Sequence, residues 1–242
     1  MPDPMPEGEA ARPSMGFVQR FIGIFVSPRK VFADIDGGSP WWEPWVWGSI
    51  IHIAIAYVVL PIQIRLFELT RNQTPPEQFE KGLVSMQSFP VKYLGVLTAP
   101  VTVLFVGVIF AALSFIAVSV LSERSNFKKH LTIYLWSSIV ASVGVLLSNI
   151  VVRLNGIEQI RRFRDAMAPF GPAALIPDDG GKIWYALLST LDIFSIWFYV
   201  LMAVGVMQVF RMSRWASLLV VVPIWLLSVL IALIGVRYGG AP

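Results

Sequence analysis

The chain has 242 residues, of which 56% are apolar and only 14% charged, with a mean hydropathy of +0.68 and a formal net charge of +4. Soluble domains carry about 25% charged residues, so a soluble globular fold is excluded as the body of this protein. Cysteine is absent, which removes a disulfide framework, a thiolate metal site and a cysteine nucleophile.

Residues 1–14 are polar and proline-rich and are expected to be disordered. They lack the basic and apolar regions of a cleaved signal peptide, so the first span is expected to serve as an uncleaved signal. Residues 15–38 predict two amphipathic helices lying at the membrane interface. In the first, Phe17, Val18, Phe21, Ile22, Phe25 and Val26 recur at helical spacing. Phe17, Phe21 and Phe25, with Arg29 and Lys30 after them, are the candidate lipid contacts. Ser27-Pro28 then reads as an N-cap followed by proline at the first helical position. The second helix carries Val31, Phe32 and Ile35 on one face and stops at Asp36-Gly37-Gly38.

Residues 39–238 form the expected transmembrane domain. A helix crosses the bilayer core with about 20 apolar residues, and charge-poor runs place spans near 45–65, 94–121, 131–152, 188–210 and 215–236. Trp41, Trp42, Trp45, Trp47, Trp184 and Trp215 sit where headgroups belong. The second run is longer than a bilayer requires, which leaves a kink at Pro100 or a tilt as alternatives. Each long outer loop is expected to carry a short helix. One starts at the capping pattern Thr74-Pro-Pro-Glu77 and the other at Asn155-Gly-Ile-Glu158.

Lysines and arginines are nearly balanced between the two sides. They are densest in the two shortest connections, at Lys128-Lys129 and at Arg211 and Arg214. Short loops weigh most in the positive-inside rule, so the expectation is a multi-pass protein of the cytoplasmic (inner) membrane, with its N-terminus inside and its C-terminus outside. The net positive charge is read as contact with anionic headgroups, and no nucleic-acid partner is expected.

Polar residues within spans are functional candidates by default. Here they are Asp192, His52, Gln208 and Asn149. Asp192 also has a plain structural role available, since a carboxylate in the first turn of a helix complements its positive end. Ser137, Ser138, Ser142 and Ser148, with Ala141 and Gly144, are residue types that let membrane helices approach closely. The chain holds no GxSxG, HExxH or phosphate-binding loop. No catalytic residue, cofactor or metal is therefore assigned.

Four ordered segments carry a resemblance. They are Ser27-Pro28-Arg29-Lys30-Val31-Phe32-Ala33-Asp34-Ile35 before span one and Ser125-Asn-Phe-Lys-Lys-His-Leu-Thr-Ile-Tyr134 entering span three. Leu191-Asp-Ile-Phe-Ser-Ile-Trp197, followed by Leu201 and Gly205, lies in span four, and Arg211-Met-Ser-Arg214-Trp-Ala enters span five. Over residues 17–236 the sequence resembles the Yip1-domain family, specifically its bacterial members. The resemblance implies a five-span protein with a cytosolic N-terminus. Eukaryotic members act with small Rab GTPases, but the N-terminal region here is too short to carry that role over. The resemblance supplies no catalytic residue.

The expected protein is thus an all-α membrane protein, a bundle of about five transmembrane helices with N-terminal amphipathic interfacial helices. Its expected role is that of a non-enzymatic scaffold or organiser in contact with the lipid bilayer. Other membrane proteins and self-association stay open as partners. The alternative is a small-solute or ion transporter or channel.

Overall fold

The computed structural model describes residues 15–89, 91–122, 124–177 and 181–238. The expected disorder of 1–14 lies outside these. Nine α-helices follow one another among the described residues: α1 (Phe17–Val26), α2 (Pro28–Asp36), α3 (Trp42–Glu68), α4 (Pro76–Gln87), α5 (Val91–Leu121), α6 (Phe127–Asn155), α7 (Lys182–Ser189), α8 (Ile193–Phe210) and α9 (Arg214–Tyr238). Five of them, α3, α5, α6, α8 and α9, are long and apolar enough to cross a membrane. The protein is an all-α membrane bundle.

Helix α6 sits at the centre, packed on α3, α5 and α8, while α9 closes against α5, α7 and α8. Lipid is as apolar as leucine, so close packing and small residues, not water exclusion, drive helices together in a bilayer. Gly107 of α5 fits this, facing Leu131 and Leu135 of α6, and so does Gly144 of α6, facing Phe194 of α8. The main core gathers Ile133, Leu135, Trp136 and Ile139 of α6 with Leu201, Met202 and Val206 of α8, and Phe32 of α2 joins them.

Helix α5 runs unbroken for 31 residues. At 1.5 Å per residue it is about 46 Å long, against a hydrocarbon core of about 30 Å. Pro100 lies inside it, and the Pro100 carbonyl accepts the indole N–H of Trp45 at 2.9 Å.

The fourth apolar run is divided. Helix α7 ends at Ser189, and α8 begins only at Ile193. The reason is local: the Ser189 and Thr190 hydroxyls donate to Ala186 O and Leu187 O, each at 2.7 Å, and Asp192 adopts an extended N-cap conformation. Such side chains offer the backbone an alternative to continuing a helix.

Two outer-loop expectations need correction. Helix α4 forms, but its N-cap is Pro75, and the Thr74 hydroxyl donates back to Thr70 O at 3.1 Å. The loop after α6 holds single 3-10 turns at Ile157–Gln159, Phe163–Ala166 and Pro172–Leu175, not one α-helix. Gly156, with φ of 99°, turns the chain out of α6, and Pro169, Gly171 and Pro172 interrupt the later part of the loop.

Candidate functional site

The principal polar feature of the spans is a cavity of about 440 Å³ lined from α3, α5, α6, α8, α9 and the α7–α8 break. Helix α3 contributes His52 and α5 contributes Thr102. Helix α6 contributes Tyr134, Ser138 and Ser142, one helical turn apart. Ser189 and Thr190 come from the break, Ser195 and Tyr199 from α8, and Ser228 from α9. Phe110, Phe198 and Val103 supply apolar wall between them.

These polar groups are matched to one another in kind. Ser138, Ser142 and Ser228 donate to Leu135 O (2.9 Å), Ser138 O (2.9 Å) and Ile224 O (3.1 Å) of their own helices. Ser189 and Thr190 do the same at the break. A hydroxyl that has donated its proton retains lone pairs, so it presents an acceptor. His52 Nδ1 lies 2.9 Å from Gly48 O. A carbonyl only accepts, so Nδ1 carries the hydrogen of this bond. The cavity wall is therefore rich in acceptors and carries no carboxylate, lysine or arginine. It suits a neutral polar molecule. Among the described residues no hydrogen bond joins His52 to a serine hydroxyl, so the pairing of nucleophile and base that acyl transfer needs is not built here. Among those residues, too, no three His, Asp or Glu side chains gather where a metal ion could be held.

Asp192 flanks this cavity. Its Oδ1 accepts from Phe194 N at 2.9 Å and Ser195 N at 3.1 Å, and its Oδ2 accepts from the Ser195 hydroxyl. That is the N-cap arrangement, with the carboxylate at the positive end of α8. Asn149 and Gln208 are not part of the cavity wall. Asn149 Nδ2 donates to Val145 O of its own helix at 2.8 Å, and Gln208 is half-buried toward the other end of α8. Of the four intramembrane candidates, the fold brings His52 and, through Ser195, Asp192 to one place.

The lipid-contact candidates are also redistributed. The Phe17, Phe21 and Phe25 face turns toward the bundle. The Trp47 ring stacks on Phe17 at 4.9 Å and on Phe21 at 4.2 Å, and Phe25 packs against the core. The exposed apolar stripe is instead Val18, Ile22 and Val26, at 56%, 55% and 71% exposure. Arg29 and Lys30 are exposed beside it.

Three functional arrangements were not visible in the sequence. Arg20 of α1 is only 5% exposed. It bonds Asp34 of α2 and Glu43 of α3, each at 2.5 Å, and so ties the first three helices together. Burial works against the guanidinium charge, but the hydrogen bonds and charges of Asp34 and Glu43 outweigh it and hold Arg20 above its ordinary value. His130 is fully buried. Its Nδ1 meets the Ser114 hydroxyl at 2.8 Å, its Nε2 meets Ser125 at 3.2 Å, and its ring stacks on Phe210 at 4.3 Å. Two hydroxyls, each able to donate or accept, satisfy either neutral tautomer.

The third arrangement joins two sequence motifs. Phe32, from the SPxxxFxxI segment, is fully buried against Gly205, the last residue of the segment in span four. A Cβ at position 205 would lie 2.6 Å from Ile133 Cγ2 and 3.0 Å from Phe32 Cε1. Glycine is thus what allows α2 to wedge against α6 and α8. The most distinctive segments of the sequence build a docking seam.

The chain is 24% identical over 203 residues to the membrane protein YknW of Bacillus subtilis (strain 168), covering 81% of this chain and 80% of that protein. No solved structure matches it. The sequence model described as the Yip1 domain matches residues 22–236, a stretch that runs from α1 through all five spans and contains both partners of the Phe32–Gly205 seam. The chain therefore belongs to the Yip1 domain family.

Proposed function

We propose that the protein is a non-enzymatic organiser of the cytoplasmic membrane, acting through helix and lipid contacts, with its N-terminus inside and its C-terminus outside. One observation carries this reading. The inner residues of α1 and α2 are consumed in docking to the bundle, while Val18, Ile22 and Val26 remain an outward apolar stripe beside Arg29 and Lys30. A half-docked amphipathic helix with flanking cations is suited to lie in the headgroup region. Photocrosslinkers at positions 22 and 26, in native membranes, are expected to capture lipid or neighbouring membrane proteins. Reconstituted liposomes are expected to show no solute or ion flux.

The hydroxyl-lined cavity favours a second reading, the binding or passage of a small neutral solute. Flux that appears in liposomes and is abolished by Ser142→Leu, which fills the cavity wall, would establish this reading and displace the first.

A further inference from the structure

A second cavity, of about 380 Å³, opens where α2, the α5–α6 connection and the α8–α9 connection converge. We infer that it is a binding site for a phosphate group, carried either by an anionic lipid or by a soluble phosphate.

Arg124, Lys129 and Arg211 line it, and Asp36 is its one described acidic residue. Lys129 Nζ is paired with Asp36 Oδ1 at 2.6 Å. Among the described residues, neither Arg124 nor Arg211 has a carboxylate partner. Arginines from two different connections therefore line one concavity, and the one described carboxylate there, Asp36, is paired with Lys129. Neutral donors complete the set. Asn126 Oδ1 accepts from Lys129 N at 3.2 Å, which leaves its NH₂ group for a ligand. Asn126 is the N-cap of α6, a 29-residue helix, so the pocket also meets the positive end of its dipole. Donors arriving from several directions fit a tetrahedral oxyanion better than a planar carboxylate.

Arg211 closes α8 at φ 53° and ψ 38°, a left-handed conformation that favours glycine. The site also lies at the ends of α5, α8 and α9, beside exposed Leu121 and Trp215, a depth at which headgroup phosphates are found.

The purified full-length chain in phosphatidylcholine nanodiscs tests this. One arm adds inorganic phosphate and reads thermal stability. The other incorporates phosphatidylglycerol and reads retained lipid by native mass spectrometry. Arg124→Gln and Arg211→Gly are each expected to weaken the effective probe about tenfold or more. Glycine suits the left-handed backbone, so the Arg211→Gly fold is expected to melt no lower than wild type. Lys128→Gln removes an equal charge from the start of α6 outside the pocket and is expected to change binding by less than about twofold. Binding of phosphatidylglycerol alone assigns the pocket to a headgroup, whereas binding of inorganic phosphate assigns it to a free phosphate group. Saturable binding of neither probe, or equal weakening by Lys128→Gln, overturns the proposal.

Discussion

Asp192 stands at the mouth of a span, and its neighbours determine what its charge does. Both carboxylate oxygens are engaged by the first turn of α8, so its work is capping. Asp192→Ala is expected to lower stability by about 1 kcal/mol. Asp192→Asn, which caps as well as aspartate, is expected to change it by only a few tenths. Thermal melting in detergent checks this, and an equal loss in both variants would show that the charge itself matters. Arg20 is the opposite case, a buried charge whose partners come from elsewhere in the chain. Because its folded value is raised, its contribution is complete at every pH below the arginine range and is lost only above it. Titration of Arg20 therefore introduces no pH dependence around neutrality. Neither role is readable from residue type alone. The capping role of Asp192 follows from local sequence, whereas the Arg20 cluster joins residues on three helices.

At the scale of elements, α2 is the informative one. Its sequence shows an apolar face, and any amphipathic helix could place such a face on lipid or on protein. The choice is made by α8, which offers glycine at 205 opposite Phe32. Gly205→Val is expected to destabilise the protein by about 1–3 kcal/mol and to expose α2 to limited proteolysis. Adding Phe32→Ala is expected to cost less than the sum of the two single changes, because both act on one contact. Additive losses would disprove the seam. The division of the fourth run into α7 and α8 has a comparably local cause, the hydrogen-bonding residues at 189–192. Hydropathy is blind to that signal, because Ser, Thr and a single Asp barely alter a window average.

For the whole molecule, the testable quantity is topology. The natural sequence has no cysteine, so single cysteines can be introduced without background. With the N-terminus inside, Glu80→Cys on α4 is expected to react with a membrane-impermeant maleimide in intact cells. Ser213→Cys, between α8 and α9, is expected to react only after permeabilisation. The reverse pattern would invert the orientation and move the phosphate pocket to the outer face.

The class of the protein follows from sequence alone. Hydrocarbon excludes unpaired backbone groups and charge, so a chain with five long charge-poor runs has few alternatives to a helical bundle. The cap at Asp192, the amphipathic character of residues 15–38 and the family were likewise legible in short local patterns. What the tertiary structure decided is which polar residues meet. His52, Ser138, Ser142 and Ser228 are widely separated in sequence and share one cavity. Asp36, Arg124 and Arg211 converge only because the end of α2 and two connections meet at the same corner of the bundle. Helix rotation and crossing set such meetings, and both depend on small contacts, like Gly205 against Phe32, that no periodicity records.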